Sequence, residues 1–299
     1  MQRISRHSFS KLKNLTVIGS GQMGSGIGLL AAKEAGLSVT MLDSSVSSLE
    51  KSKGYMTKFL DTSVTKGKLT ASDVPLIMQN LTFTTEINDC KNANFVIEAI
   101  TENLELKQKL LGSLDEIVTD KSCIFASNTS SISITKLANS IRNPERLIGM
   151  HFFNPPLIMN LIEIVPGLKT SKKTLETTRE LALSMKKETV MSNDSPGFIT
   201  NRILMPYINE AIFTLQNGVA TKEDIDKAMR LGTNVPMGPL TLADFIGLDT
   251  CYYILMVLYN ELKDQKFAPC PLLAKYVDAG WLGRKSGKGF FDYTPSQNK

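Results

Sequence analysis

Leu15-Thr16-Val17-Ile18-Gly19-Ser20-Gly21-Gln22-Met23-Gly24 runs into a small-residue stretch ending at Gly36, and then into Ser38-Val39-Thr40-Met41-Leu42-Asp43. A β-rich run, a glycine turn and a helix start follow one another, and an acid closes the second β-rich run 19 residues beyond Gly24. This is G-x-G-x-x-G in the setting it needs, strand before and helix after. Gly19 permits the tight turn, Gly21 lets the backbone approach a pyrophosphate, and Gly24 permits close packing of helix on strand. The helix start through Gln22 and Met23 offers unpaired N–H groups and the positive dipole end to phosphate. Asp43 can accept both hydroxyls of a ribose and repels a 2′-phosphate. Ser44 and Ser45 follow it rather than arginine, which favours NAD over NADP.

Further β-rich runs lie at Leu81–Thr84, Phe95–Ala99, Cys123–Ser127 and Leu147–Met150, with helical stretches between several of them. Alternation of this kind predicts a parallel sheet covered on both faces. The segment from Ser44 to Pro75 is too long and polar for a simple crossover, and Lys66-Gly67-Lys68 reads as the turn of a helical hairpin. Beyond Met191 the pattern changes. Asp194-Ser195-Pro196-Gly197 predicts a helix start, with Asp194 or Ser195 as the cap. Apolar residues then recur at helical spacing up to Gly218, and Thr221-Lys222-Glu223-Asp224 opens another helix. The expected fold class is α/β: a Rossmann-type dinucleotide-binding domain over residues 14–193, then an all-helical domain over 194–299, after a basic leader at 1–13.

The chain has 299 residues, 42% hydrophobic and 21% charged, a composition that builds an ordinary core and excludes a disordered or collagen-like protein. No apolar run approaches the roughly 18–20 residues of a membrane span. Net charge is +5, but Arg3, Arg6, Lys11 and Lys13 precede the first acid, Glu34, so the excess belongs to the leader. The body is close to neutral and carries no basic stripe, which argues against nucleic acid. An acid-free leader with Arg and Ser resembles a mitochondrial transit segment, placing the protein in the matrix; read as a plain solvated leader, it leaves the protein in the cytoplasm. The four cysteines, Cys90, Cys123, Cys251 and Cys270, fit neither a zinc site nor a disulfide framework, so reduced thiols and no metal are expected.

Several motifs occur together: Val96-Ile97-Glu98-Ala99-Ile100-Thr101-Glu102-Asn103, Ala126-Ser127-Asn128-Thr129-Ser130-Ser131 and Gly149-Met150-His151-Phe152-Phe153-Asn154-Pro155-Pro156. They continue with Asp194-Ser195-Pro196-Gly197-Phe198-Ile199-Thr200-Asn201-Arg202 and end with Gly283-Arg284-Lys285-Ser286-Gly287-Lys288-Gly289-Phe290. In this order the chain resembles the 3-hydroxyacyl-CoA dehydrogenase family, short-chain type, from about Leu15 to Tyr293. The resemblance implies NAD-dependent interconversion of L-3-hydroxyacyl-CoA and 3-oxoacyl-CoA, as in fatty-acid β-oxidation, an acyl-CoA substrate, and a homodimer made by the helical domain.

Oxidation of a secondary alcohol needs a base for the hydroxyl proton, and histidine, with a pKa near 6.5, suits the task. His7 lies in the leader, which leaves His151, at the end of a β-rich run where ligand sites of open α/β sheets lie. Taken alone it also fits a satisfied structural histidine. Glu163 stands among apolar residues in Asn160-Leu161-Ile162-Glu163-Ile164-Val165, where a carboxylate is costly unless paired or at an edge. The resemblance makes His151 its partner. It also places Ser130 and Asn201 on the substrate, where a hydroxyl and a carboxamide can donate to an oxygen gaining charge. Glu102, Lys107, Ser130, Asn154 and Lys285 match family positions that contact NAD, and Lys66 resembles a lysine near the CoA phosphates. By the residues alone, these could be turn bonding, a solvated helix face or surface decoration. A dehydrogenase of free hydroxy acids, as L-gulonate 3-dehydrogenase is, and a non-catalytic NAD-binding structural protein are the alternatives.

Overall fold

In a computed structural model, which describes residues 12–294, the run that opens the fingerprint is strand β1 (Asn14–Ile18), buried along its last four residues. Continuous burial is what a central strand covered on both faces requires, and it explains why β1 lacks polar alternation. β2 (Ser38–Leu42), β3 (Leu81–Thr84), β4 (Phe95–Glu98), β5 (Ile124–Ser127) and β6 (Leu147–Phe152) all run parallel to it. With β7 (Leu161–Pro166) and β8 (Glu188–Met191) they form one sheet in the order β3-β2-β1-β4-β5-β6-β7-β8. The order reverses between β1 and β4, which sets a crevice at the carboxyl ends of the strands.

The sheet is parallel only through β6. β7 runs antiparallel to β6, and β8 parallel to β7. The connection over residues 153–160 is too short for a crossover helix, so the chain has to turn back. β6 also extends past Met150 to Phe152, which puts His151 inside the strand.

Helix α1 (Gln22–Lys33) packs on β1 and β2 through glycine and alanine: a Cβ on Gly28 would collide with the sulfur of Met41. Between β2 and β3 lie α2 (Val46–Thr65) and α3 (Asp73–Met78). The turn between them carries Gly67 at φ +68°, in the left-handed region that glycine adopts without cost, so the hairpin is present with a short second arm. α4 (Leu104–Ile117) follows β4 and is capped by Asn103, whose side chain accepts from the Leu106 amide at 3.0 Å. α5 (Ile134–Ala138) and α6 (Lys172–Ser184) complete this part of the chain.

The chain divides into two units after Ser195. Asp194 does not cap the helix that follows it in sequence. Its carboxylate accepts from the amides of Ile134 and Thr135, at 3.0 and 2.8 Å, and from the Ser133 hydroxyl at 2.9 Å, so it caps α5 and belongs to the first unit. The next helix, α7 (Thr200–Gln216), starts later than predicted, after a turn at 196–199.

The second unit holds α7, α8 (Lys222–Gly232), α9 (Pro239–Ile246), α10 (Leu248–Leu262) and α11 (Pro271–Asp278). Thr221 caps α8, and Asp226 accepts from the Leu240 and Thr241 amides at the start of α9. Met205, Ile208, Ile212, Leu240, Leu248, Leu255 and Leu258 form its core. The chain then closes on Asp244 of α9. This carboxylate, 1% exposed, accepts from the Phe290 and Phe291 amides, each at 2.9 Å, and from the Tyr293 hydroxyl at 3.1 Å. A Cβ on Gly283 or Gly289 would run into Asp244.

Among the described residues no single helix is long and apolar enough to cross a membrane. All four cysteines are buried and free, and burial pushes the Cys90 thiol up to about 11 and Cys251 to about 12. The leader residues Arg3, Arg6, His7 and Lys11 lie outside the described residues.

Candidate active site

The glycine loop has the shape its spacing predicts. Gly19 sits at φ +93°, and a Cβ there would lie 2.5 Å from the Ala99 carbonyl oxygen. A Cβ on Gly24 would collide with the Gly19 carbonyl, so the loop and the first turn of α1 touch backbone to backbone. Gly21, the N-cap of α1, is different: a Cβ there meets nothing within 4 Å, and no side chain caps the helix. Open space over uncapped N–H groups is what a pyrophosphate needs. Gln22 is exposed beside it, while Met23 packs against the core. Asp43, just past β2, accepts from the Ser20 amide and hydroxyl, both at 2.8 Å, and from the Ser45 amide at 2.9 Å. Burial pushes its carboxyl up, but these bonds outweigh it and hold Asp43 below its ordinary 3.8.

Next to this loop, the ends of β4 and β5 meet in a buried polar network. Glu98, the last residue of β4, is fully buried and accepts from the Ile100 amide at 2.7 Å, the Lys107 ammonium at 2.6 Å and the Ser127 hydroxyl at 2.5 Å. Lys107 reaches from α4 and also meets Glu102 at 3.2 Å and the Ile100 carbonyl at 3.3 Å. Glu102 in turn accepts from the Thr129 hydroxyl (2.5 Å), the Ser130 amide (3.1 Å), the Ser131 amide (3.2 Å) and the Ser131 hydroxyl (2.9 Å). Burial pushes the Glu102 carboxyl up, yet Lys107 and these donors hold it below its ordinary 4.5. Ser130 is half-buried on a loop whose backbone is fixed from beneath.

His151 and Glu163 face each other directly in the β6–β7 ladder. His151 Nδ1 lies 2.8 Å from Glu163 Oε2, and both residues are buried. The antiparallel turn makes this pair, because it sets β7 beside β6 in a register that opposes the two residues. The Phe153 ring packs 4.8 Å from the imidazole. The Asn128 side chain accepts from the Phe152 amide at 2.8 Å, which ties β6 next to His151 to the loop that carries Ser130.

Residues 14–195 match the family described as 3-hydroxyacyl-CoA dehydrogenase, NAD binding domain, and residues 197–293 match 3-hydroxyacyl-CoA dehydrogenase, C-terminal domain. This chain belongs to the 3-hydroxyacyl-CoA dehydrogenase family. It is 47% identical over 283 residues to a probable 3-hydroxybutyryl-CoA dehydrogenase of Bacillus subtilis, covering 95% of this chain and 98% of that one. It is 38% identical over 295 residues to a probable 3-hydroxyacyl-CoA dehydrogenase of Caenorhabditis elegans, covering 95% and 94%. The solved (S)-3-hydroxybutyryl-CoA dehydrogenase PaaH1 of Ralstonia eutropha superposes with a TM-score of 0.92 at 44% identity, covering 95% of this chain and 100% of that one. The protein is therefore an NAD-dependent dehydrogenase of the 3-hydroxyacyl-CoA type, and its open Gly21, uncapped α1 and charged Asp43 suit that cofactor.

As a 3-hydroxyacyl-CoA dehydrogenase, the chain brings some expected residues together and keeps others apart. Within the first unit, His151 pairs with Glu163, and Ser130 with Glu102. Lys107, expected to touch NAD, is 1% exposed with its ammonium taken up by three protein acceptors. Asn154 is exposed just beyond β6, and Lys66 is exposed at the end of α2. Asn201 lies in the first turn of α7 in the second unit and is buried rather than on a solvated face. Lys285, also in the second unit, pairs with Asp249 at 2.7 Å. Sequence reasoning passed over Glu98, Asn128 and Ser20. Glu98 carried the same signal as Glu163, an acid among apolar residues, while Asn128 and Ser20 have no local signature. Among the described residues, no three of His, Cys, Asp and Glu gather as a metal site.

Proposed function

We propose that this dehydrogenase oxidises L-3-hydroxyacyl-CoA esters of fatty-acid β-oxidation to 3-oxoacyl-CoA, with acetoacetyl-CoA as a substrate in the reducing direction. The observation that carries the reading is His151 held by Glu163 at 2.8 Å across two buried strands. A carboxylate only accepts, so its bond to Nδ1 fixes the tautomer whose lone pair is on Nε2. Nε2 takes the hydroxyl proton as the alcohol becomes a ketone, and Glu163 stabilises the imidazolium that results. NAD⁺, when bound, supplies the acceptor of the hydride. In the reducing direction His151 returns the proton. Ser130 and Asn201 donate to the substrate oxygen, and Lys66 meets the CoA phosphates; these three roles rest on the family match alone. We also propose a homodimer made by the helical domain, which light scattering reads as twice the chain mass.

The test follows reduced-nicotinamide absorbance with purified protein, NADH and acetoacetyl-CoA, with free acetoacetate and with L-gulonate plus NAD⁺ in parallel. Rapid NADH loss with the CoA ester alone supports the reading; turnover only of a free acid, or of nothing while NADH binds, overturns it. His151→Ala is expected to lower turnover by about 10²–10⁴-fold without loss of the fold, and a loss under tenfold removes His151 as the base.

A further inference from the structure

The buried cluster at the ends of β4 and β5 holds two carboxylates and one ammonium. A buried ionic group loses its hydration, and well-packed apolar side chains of similar size serve stability as well or better. The position of such a group, not its contribution to stability, then calls for an explanation. Glu98 is the deepest member, 0% exposed, and it has two routes to one loop. In the first, Lys107 bonds Glu98 at 2.6 Å and Glu102 at 3.2 Å, and Glu102 accepts the Ser130 amide at 3.1 Å. In the second, Ser127 donates its hydroxyl to Glu98 at 2.5 Å, and its oxygen accepts the Thr129 amide at 3.2 Å. Both routes end on the backbone that carries Ser130, and neither uses the Ser130 hydroxyl.

We propose that Glu98 is a positioning residue that sets Ser130 for the reaction through Lys107 and Glu102 on one side and Ser127 on the other. This rests on the proposed contact of Ser130 with the substrate. Glu98 itself, with no exposed surface, touches no substrate. Its charge holds Lys107, Lys107 holds Glu102, and Glu102 fixes where the Ser130 backbone lies. Linked bonds of this kind act together, so loosening one end moves the other.

A double-mutant cycle separates this role from a merely structural one. kcat/KM for acetoacetyl-CoA is measured in the full-length enzyme for wild type, Glu98→Gln, Ser130→Ala and the double variant, with melting temperatures alongside. If Glu98 acts through Ser130, the loss caused by Glu98→Gln is at least threefold larger with Ser130 present than in the Ser130→Ala background. A ratio below threefold overturns the proposal, because a general loosening costs the same in both backgrounds. Should Glu98→Gln not fold, Ser127→Ala keeps the carboxylate, removes one of its donors and enters the same cycle under the same criterion. Should wild type turn over no acetoacetyl-CoA, the reading of the reaction fails separately. The cycle read as NADH affinity, to which Ser130 is also assigned, then decides Glu98 by the same ratio.

Discussion

Gly21, at the N-cap of α1, and Gly289, where the second unit closes, stand in glycine-rich stretches that look alike in the sequence and differ in their surroundings. Around Gly21 the space is open, and the helix end beneath has no side-chain cap. Around Gly289 there is none: an added Cβ meets the Asp244 carboxylate, and at Gly283 it meets the Asp244 backbone. One stretch keeps room for a ligand, while the other gives its room to a buried acid of its own unit. Glycine spacing alone does not tell these apart. The backbone continuing from each stretch does, since a helix start leaves N–H groups unpaired, whereas Gly283 and Gly289 give their amides to the Lys288 and Phe291 carbonyls and the next two amides, of Phe290 and Phe291, go to Asp244.

The largest expected effect that tests this contrast is at Gly283, where φ is +90° and Asp244 is in contact. Gly283→Ala combines left-handed strain with a backbone collision and is expected to cost about 3 kcal/mol or more. Denaturant unfolding of the full chain reads it, and a cost below about 1 kcal/mol would show that the closure is not tight. Gly21→Ser is expected to do the reverse. Serine is at least as good an N-cap as glycine, so thermal stability holds or rises, while NADH affinity falls about tenfold or more, equal to about 1.4 kcal/mol. Unchanged affinity would remove the pyrophosphate from this loop.

The smallest effect concerns the acid of each region. Burial acts on both, but Asp43 is held below 3.8 by bonds from Ser20 and Ser45, whereas burial prevails at Asp244 and raises it above 3.8. The signs of their contributions to stability are opposite. That of Asp43 is complete above pH 3.8 and fades as pH falls through its lower folded value. That of Asp244 is present while it is protonated and fades as pH rises through its raised one. Carboxyl-detected NMR titration would show Asp43 moving below 3.8 and Asp244 above it; either group on the other side erases the distinction.

The legible part of the sequence was local. Gly19, Gly21, Gly24 and Asp43 are read by spacing because turn, helix start and strand end are neighbours along the chain. The strands were legible because central strands are apolar throughout. The reversal after β6 was not, since strand direction depends on the length of a connection that has no signature of its own. Asp194 was misread for a related reason: its partners, Ser133, Ile134 and Thr135, lie about 60 residues away, and cap rules see only near neighbours. His151 and Glu163 were paired by resemblance, whereas the structure pairs them by register. Glu98 was legible in kind, standing among apolar residues as Glu163 does, but its partners Lys107 and Ser127 are brought to it only by the fold.

The register of β6 against β7 has a consequence for how the enzyme can change. The spacing of His151 and Glu163 is a property of two hydrogen-bonded strands, while the connection over residues 153–160 joins them and sets Phe153 beside the imidazole. Changes in length or sequence beyond Asn154 in that connection can therefore accumulate, by drift or by design, with the register of the proton-handling pair inherited intact.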